Sequence, residues 1–208
     1  MTKLYAGVAA AAVAAFLGFM TWKVVYDRPD DAYAQCRQGQ FAGGDIGGPF
    51  TLVNTSGQTV TETEVLTKPS LVYFGYTFCP DVCPLDMARN VEAVDLLEER
   101  GLDVSPVFIS IDPERDTPDA LKDYTSNMHP RLIALTGTAD QVKAAAQAYK
   151  TVYKKRETGD EFYLMDHMTF TYLMLPGEGF VDFFRREITS EKMAESVACF
   201  VQASKASP

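Results

Sequence analysis

The sequence is short of positive charge, of histidine and of repetition. Its 19 Lys and Arg face 28 Asp and Glu, for a formal net charge of −9, and no run of lysines or arginines offsets that balance. Nucleic acid rewards a basic face and anionic lipid a polybasic segment, so both fall away as electrostatic partners. No internal repeat and no low-complexity tract beyond one alanine-rich run is present, which argues against a repeat architecture. Only two histidines, His129 and His167, are available as imidazole ligands. With 208 residues, 47% of them hydrophobic, the chain can bury one ordinary core and is too short for two large domains.

What is abundant at the start is apolar surface. Residues 4–22 carry no charge, and as a helix they would run roughly 28 Å, enough to cross a bilayer core. This predicts a retained transmembrane anchor over residues 1–25. A cleaved signal peptide is the competing reading, because Ala32, Tyr33 and Ala34 form a small-x-small pattern, although it lies farther from the apolar run than cleavage usually sits. Lys3 and the amino terminus face Lys23 and Arg28 across the span, so charge does not orient it. Residues 26–48, with Pro29, several Asp and a glycine-rich run from Gly43, lack any period and read as a stalk. The globular domain is expected over residues 49–208.

Within that domain FTLVNTSGQTVTETEV (50–65) reads as a β-hairpin around Ser56 and Gly57, at the domain's edge. SLVYFGYT (70–77) and VSPVFISID (104–112) are continuous apolar runs suited to strands buried on both faces. Between them Met87, Val91, Val94 and Leu97 recur at helical spacing from Pro84, with Gly101 as the stop, which makes a βαβ unit. A second helix opens at Thr117 and Pro118, LIALTG is a short strand, and a third helix covers residues 138–150. EFYLMDH, MTFTYLMLP and FVDFFRR are β-prone, with Gly177-Glu178-Gly179 as a hairpin turn, and TSEKMAESVACFVQA closes the chain as an amphipathic helix. The order is that of an α/β, thioredoxin-like domain with an added N-terminal β-hairpin.

The segment FGYTFCPDVCPLDMARN (74–90) sets Cys79 and Cys83 between prolines at the mouth of the first helix. Placing Pro84 at the first helical position makes Cys83 cap-like, and the positive helix end lowers both thiol pKa values. Such a pair can close a disulfide or clamp one soft metal, and a third ligand decides between them. His129, beside Pro130 at a helix end, reads as a cap or surface residue. His167 lies on a loop between β-prone runs that approaches the helix tip in a thioredoxin-like fold. From the residues alone it is either the third ligand or an ordinary histidine. Two thiolates and one imidazole suit copper in both oxidation states, whereas a structural zinc site would need a fourth protein ligand that is not evident. Met168 is a soft neighbour, but strand alternation points it away.

Cys36 in the stalk and Cys199 in the last helix remain. Met193, Val197, Phe200 and Val201 form that helix's apolar stripe, and at about 100° per residue Cys199 is roughly 145° from its centre. A structural disulfide between Cys36 and Cys199 in an oxidising compartment is therefore expected, against the alternative of two free thiols.

FCPDVCP preceded by YFGYT, then ISIDPERDTP, then Asp166-His167 before a β-prone run, closely resembles the Sco family (SenC-like) of copper-binding cytochrome c oxidase assembly factors. The resemblance covers nearly the whole region after Gly43. It implies a thioredoxin-like domain on one N-terminal transmembrane anchor in the bacterial inner membrane, facing the periplasm. It also implies copper held by Cys79, Cys83 and His167, and delivery of that copper to, or reduction of the cysteines of, the CuA centre of cytochrome c oxidase subunit II. Further implied partners are another periplasmic copper chaperone or a thioredoxin-like reductant. One departure from the family is Met168, where serine is common. Asp112 and Asp116 in the IDPERDTP segment are candidates to orient the site or meet a partner, and Asp81 and Asp166 are read as solvated charges that tune it.

Three functions compete at this level. A metallochaperone, not a turnover enzyme, needs His167; a thiol-disulfide oxidoreductase cycling Cys79 and Cys83 does not. A redox or copper sensor would use the same ligands. The three residues between the cysteines, where thioredoxin-type catalysis usually has two, favour the chaperone.

Overall fold

In a computed structural model, which describes residues 2–26, 33–37, 45–156 and 163–206, buried strands and capped helices follow the hydrophobic pattern closely. The chain divides into two compact units, Met1–Gln35 and Cys36–Pro208. The first contains α1 (Thr2–Tyr26), whose described side chains over residues 11–23 are exposed. Among the described residues no helix is long and apolar enough to cross a membrane. The span expected over residues 4–22 lies partly outside them, since the side chains of residues 4, 6 and 8–10 are not described.

The second unit is built on a seven-stranded sheet of order β2-β1-β5-β4-β3-β8-β9. β1 (Thr51–Asn54) and β2 (Thr59–Thr61) form the expected edge hairpin, followed by one turn of helix, α2 (Glu62–Val65). β3 (Ser70–Gly75) and β4 (Ser105–Ser110) pair in parallel, and every β3 residue is buried. A parallel pair needs a crossover, supplied by α3 (Val82–Glu99), which packs on both strands. Its stop is a Schellman motif: the Leu102 N–H donates to the Leu97 carbonyl and the Gly101 N–H to the Glu98 carbonyl, with Gly101 at φ +74°.

α4 (Pro118–Met128) starts with the Thr117 side chain accepting from the Ala120 N–H, and β5 (Ile133–Thr136) adds in parallel to β4. α5 (Ala139–Ala148) has a capping box from Thr138 and Gln141. β8 (Thr171–Leu175) pairs antiparallel with β3 and with β9 (Gly179–Phe184), and α6 (Ser190–Ala206) packs against α3. Met193, Val197, Phe200 and Val201 are buried as the stripe requires.

Three features differ from the sequence expectations. A polar strand, β6 (Tyr153–Arg156, YKKR), pairs antiparallel with β7 (Leu164–His167) as a separate two-stranded ribbon; nothing in its composition signals a strand. His167 accordingly ends a strand, opposite Tyr153, and does not lie in a loop. The compact unit begins at Cys36, ahead of the expected start at residue 49. Cys36 is buried, bonded to Cys199 with a Cα–Cα distance of 5.5 Å, and its carbonyl accepts from Ser196 Oγ at 3.2 Å. The disulfide pulls this end of the stalk onto α6.

Candidate metal centre

α3 opens at Val82, with Asp81 at the N-cap position, so Cys83 and Pro84 both lie inside its first turn. Proline is tolerated there because the first backbone N–H groups of a helix have no intrahelical acceptor. The Asp81 side chain makes no cap hydrogen bond. The thiol acts instead: the Cys83 N–H donates to Cys79 Sγ at 3.4 Å. Both thiols are free.

This placement separates the two cysteines. Burial pushes the Cys79 thiol up, but the backbone N–H groups of Asp81, Cys83 and Val82 outweigh it and the pKa ends lowered. Cys83 is only 1% exposed, and burial raises its pKa well above the usual thiol range. The expectation that the helix end lowers both is therefore corrected for Cys83: its Sγ sits in the core, where desolvation exceeds the field of the helix.

His167 comes to the same point from the ribbon. Its Nε2 lies 3.3 Å from Cys83 Sγ, and the ligand atoms of Cys79, Cys83 and His167 all lie within 4.8 Å of one another. Donors at metal-bond lengths of about 2.0–2.3 Å around one ion stand roughly 3.5–4 Å apart, so these three can converge on a single cation. Among the described residues no fourth His, Cys, Asp or Glu joins the group. Two sulfurs and one imidazole without a carboxylate form a soft donor set of the kind copper prefers.

The imidazole is oriented for this task. His167 Nδ1 is 2.9 Å from the Met168 carbonyl, which can only accept, so Nδ1 carries the proton and Nε2 turns its lone pair toward the thiols. Met168 thus contributes its backbone. Burial lowers the His167 pKa, which keeps the ring neutral and able to bind metal. The Tyr73 and Tyr76 rings stand nearly perpendicular to the imidazole, at centroid distances of 6.2 and 5.9 Å.

Several supporting residues escape sequence reasoning. Gly75 closes β3 directly under Cys83: a Cβ there would sit 2.8 Å from Tyr73 Cε1, 2.9 Å from Phe108 Cε2 and 3.1 Å from Cys83 Sγ. Gly75→Ala is expected to cost about 1–3 kcal/mol of stability in urea unfolding and to displace Cys83. Below the site Asp86 is buried, accepting from Tyr73 Oη at 3.0 Å and pairing with Arg89 at 3.1 Å; Arg89 also reaches the Arg186 carbonyl and Thr171 Oγ1. A polar residue on the inner face of an amphipathic helix was the available signal.

The four candidate aspartates separate. Asp116 is fully buried and accepts from the Thr77 N–H at 3.1 Å, from Thr77 Oγ1 at 2.5 Å and from Ser110 Oγ at 2.6 Å, so it anchors the loop leading to Cys79. Asp112 faces Tyr163 and Arg115. Asp166 is exposed and paired with Arg156, and Asp81 is exposed. His129 caps α4 and lies 3.0 Å from Asp95.

A thioredoxin-like domain with two free thiols and one oriented imidazole at the head of its first crossover helix defines a soft-metal-binding member of that fold class. The chain belongs to the SCO1/SenC family, whose model matches residues 38–202. It is 51% identical to SenC of Rhodobacter capsulatus over 203 residues, which is 97% of this chain and 92% of that protein. It is 42% identical to the mitochondrial SCO1 homolog 1 of Arabidopsis thaliana over 73% of this chain, spanning 46% of that longer protein. Among solved structures, Arabidopsis ScoI with copper bound superposes with a TM-score of 0.72 at 41% identity, covering 76% of this chain and 99% of the other. Bradyrhizobium japonicum ScoI with copper bound gives 0.67 at 38% identity, covering 74% and 98%.

Proposed function

We propose that this protein is a copper metallochaperone that holds one copper ion between Cys79, Cys83 and His167 and delivers it to the CuA centre of cytochrome c oxidase subunit II. The observation that carries the reading is the convergence of three soft donors within 4.8 Å, with these thiols free while Cys36 and Cys199 are joined. Solved relatives of the same fold hold copper, and Sco proteins are cytochrome c oxidase assembly proteins. The protein hands on its cargo by ligand exchange and is not a turnover enzyme: an incoming thiol gives up its proton on binding the ion, and each resident sulfur that leaves takes up one.

A partner face is available for that exchange. Of the large apolar side chains exposed among the described residues of the Cys36–Pro208 unit, Phe78 precedes Cys79 and Leu85 follows Cys83 on α3. Leu164 begins the strand that His167 ends, and Val152 accepts from the Met168 N–H. Two observations support reading the domain as periplasmic on a single inner-membrane anchor: the disulfide suits an oxidising compartment, and residues 4–22 are uncharged.

One observation favours a second, accessory activity. A lowered, more accessible Cys79 beside a buried Cys83 is the asymmetry that disulfide exchange uses, which suits reduction of the CuA cysteines before loading. The other partners in this scheme are a periplasmic copper donor and a thioredoxin-like reductant.

Anaerobic titration of the reduced chain with Cu(I), in competition with a chromophoric chelator, tests the main reading. One equivalent is expected to bind, and Cys79→Ser or Cys83→Ser to weaken it by about 100-fold or more, since losing a ligand exceeds the 10–100-fold typical of outer-shell changes. Binding indifferent to both cysteines would overturn it.

A further inference from the structure

The IDPERDTP segment caps α4, but most of its side chains are not used in capping. Asp116 fixes the Cys79 loop; Asp112, Glu114 and Arg115 reach the ribbon that carries His167, at Tyr163 and Lys155. An isolated two-stranded ribbon is marginal in water, so the position of β6 and β7 depends on what they are fastened to. The Arg115 guanidinium lies 3.6 Å from the centroid of the Tyr163 ring, just before β7, and Nη1 donates to the Tyr163 carbonyl at 3.0 Å. Its Nε donates to Asp112 Oδ2 at 2.5 Å, and Tyr163 Oη donates to the other oxygen of that buried carboxylate at 2.7 Å. Phe78, beside Cys79, covers the guanidinium at 4.8 Å. Across the ribbon Lys155 pairs with Glu114 at 2.7 Å and lies 3.8 Å from the Tyr163 centroid.

We infer that Arg115 is a positioning residue for His167: its stack and hydrogen bonds to Tyr163 and Asp112 latch the β6–β7 ribbon to the turn that also anchors the Cys79 loop, so that imidazole and thiols meet in one geometry. The inference rests on the copper-binding reading. The fork of the guanidinium matters, because it serves Asp112 and the Tyr163 carbonyl at once while its carbon lies over the ring, which an ammonium cannot do. The residue is not itself a metal ligand; besides the ribbon it meets the rings of Tyr76, at 5.7 Å, and Phe78, so the His167→Ala background is needed to separate its action on the imidazole from action on the thiols.

The test is a double-mutant cycle on the whole chain, read by Cu(II) affinity and by amide hydrogen exchange of the copper-free protein. Arg115→Met is expected to weaken Cu(II) binding about 10- to 100-fold in the wild-type background. In a His167→Ala background it should change affinity by no more than about twofold, since the latch has nothing left to position. In the copper-free chain, amides of residues 164–167 should exchange about tenfold faster or more, with those of α3 unchanged. If Arg115→Met does not fold, Arg115→Lys and Tyr163→Leu run the same cycle. Equal losses in both backgrounds, or no loss with unchanged exchange, overturn the latch while leaving the copper reading intact. If His167→Ala itself costs no Cu(II) affinity, the copper reading fails instead, and the exchange measurement alone decides whether Arg115 holds the ribbon.

Discussion

Replacing His167 with alanine is expected to lower Cu(II) affinity by about 100-fold or more and to remove the sulfur-to-copper charge-transfer absorption of a Cys2His site. Cu(I) should be retained better, because two thiolates satisfy that ion and Cu(II) relies on the imidazole. The structure makes the loss specific. Nε2 stands 3.3 Å from Cys83 Sγ with its lone pair held in place by the Nδ1 bond to Met168, and no other His, Cys, Asp or Glu among the described residues can replace it. The same variant should still exchange disulfides through Cys79 and Cys83, because the Cys79 thiol is held low by backbone N–H groups at the α3 N-terminus and not by the ring. Competition titration followed by absorption, together with a thiol-exchange assay, reads both. Unchanged Cu(II) binding would sink the three-ligand site. Loss of both activities would mean that His167 acts on the cysteines and not on the metal.

The second large effect concerns Cys36 and Cys199. They are separated by 163 residues, so their bond closes nearly the whole globular unit into one loop. In the chain-entropy account a closure of that length restricts the unfolded ensemble by about 5 kcal/mol, and removal of native disulfides typically costs about 2–5 kcal/mol. Cys199→Ser is therefore expected to lower the free energy of unfolding by about 3–5 kcal/mol, seen as a shifted guanidinium midpoint. Copper affinity should stay within about twofold, because neither cysteine contributes to the donor set and the sites are independent. A midpoint that does not move would show that Ser196 and α6 hold Cys36 without the covalent bond. A fall in copper affinity would mean that the tether shapes the site as well.

Much of this was legible in sequence because it is local. Thr117 with Pro118, Thr138 with Gln141, and Gly101 after Leu97 mark helix ends through contacts within a few residues, and these caps form as expected. The β3 and β4 runs are apolar through their centres, residues 71–74 and 106–109, because strands buried on both faces leave no polar side. The displacement of Cys199 from its helical stripe is pure periodicity, and it agrees with a residue half-exposed beside Cys36. β6 was not legible: a strand reading YKKR has no apolar face, and only pairing with β7 holds it extended. Reading Pro84 as the first helical position starts α3 two residues late, because every residue of the first turn can accommodate a missing N–H.

The sequence by itself determined the donor types, the spacing of the cysteines, the identity of the family and the helix that carries the two thiols, since these depend on residue type and short-range geometry. Only the tertiary structure decided how the thiols differ, because burial of Cys83 against Gly75, Tyr73 and Phe108 is set by residues distant in the chain. It also decided which aspartates matter: Asp116 and Asp86 are buried and bonded, Asp166 pairs at the surface and Asp81 is exposed. And it alone brought His167 to the cysteines, across a ribbon fastened by Arg115, because that meeting is long-range packing and desolvation, which no local pattern encodes.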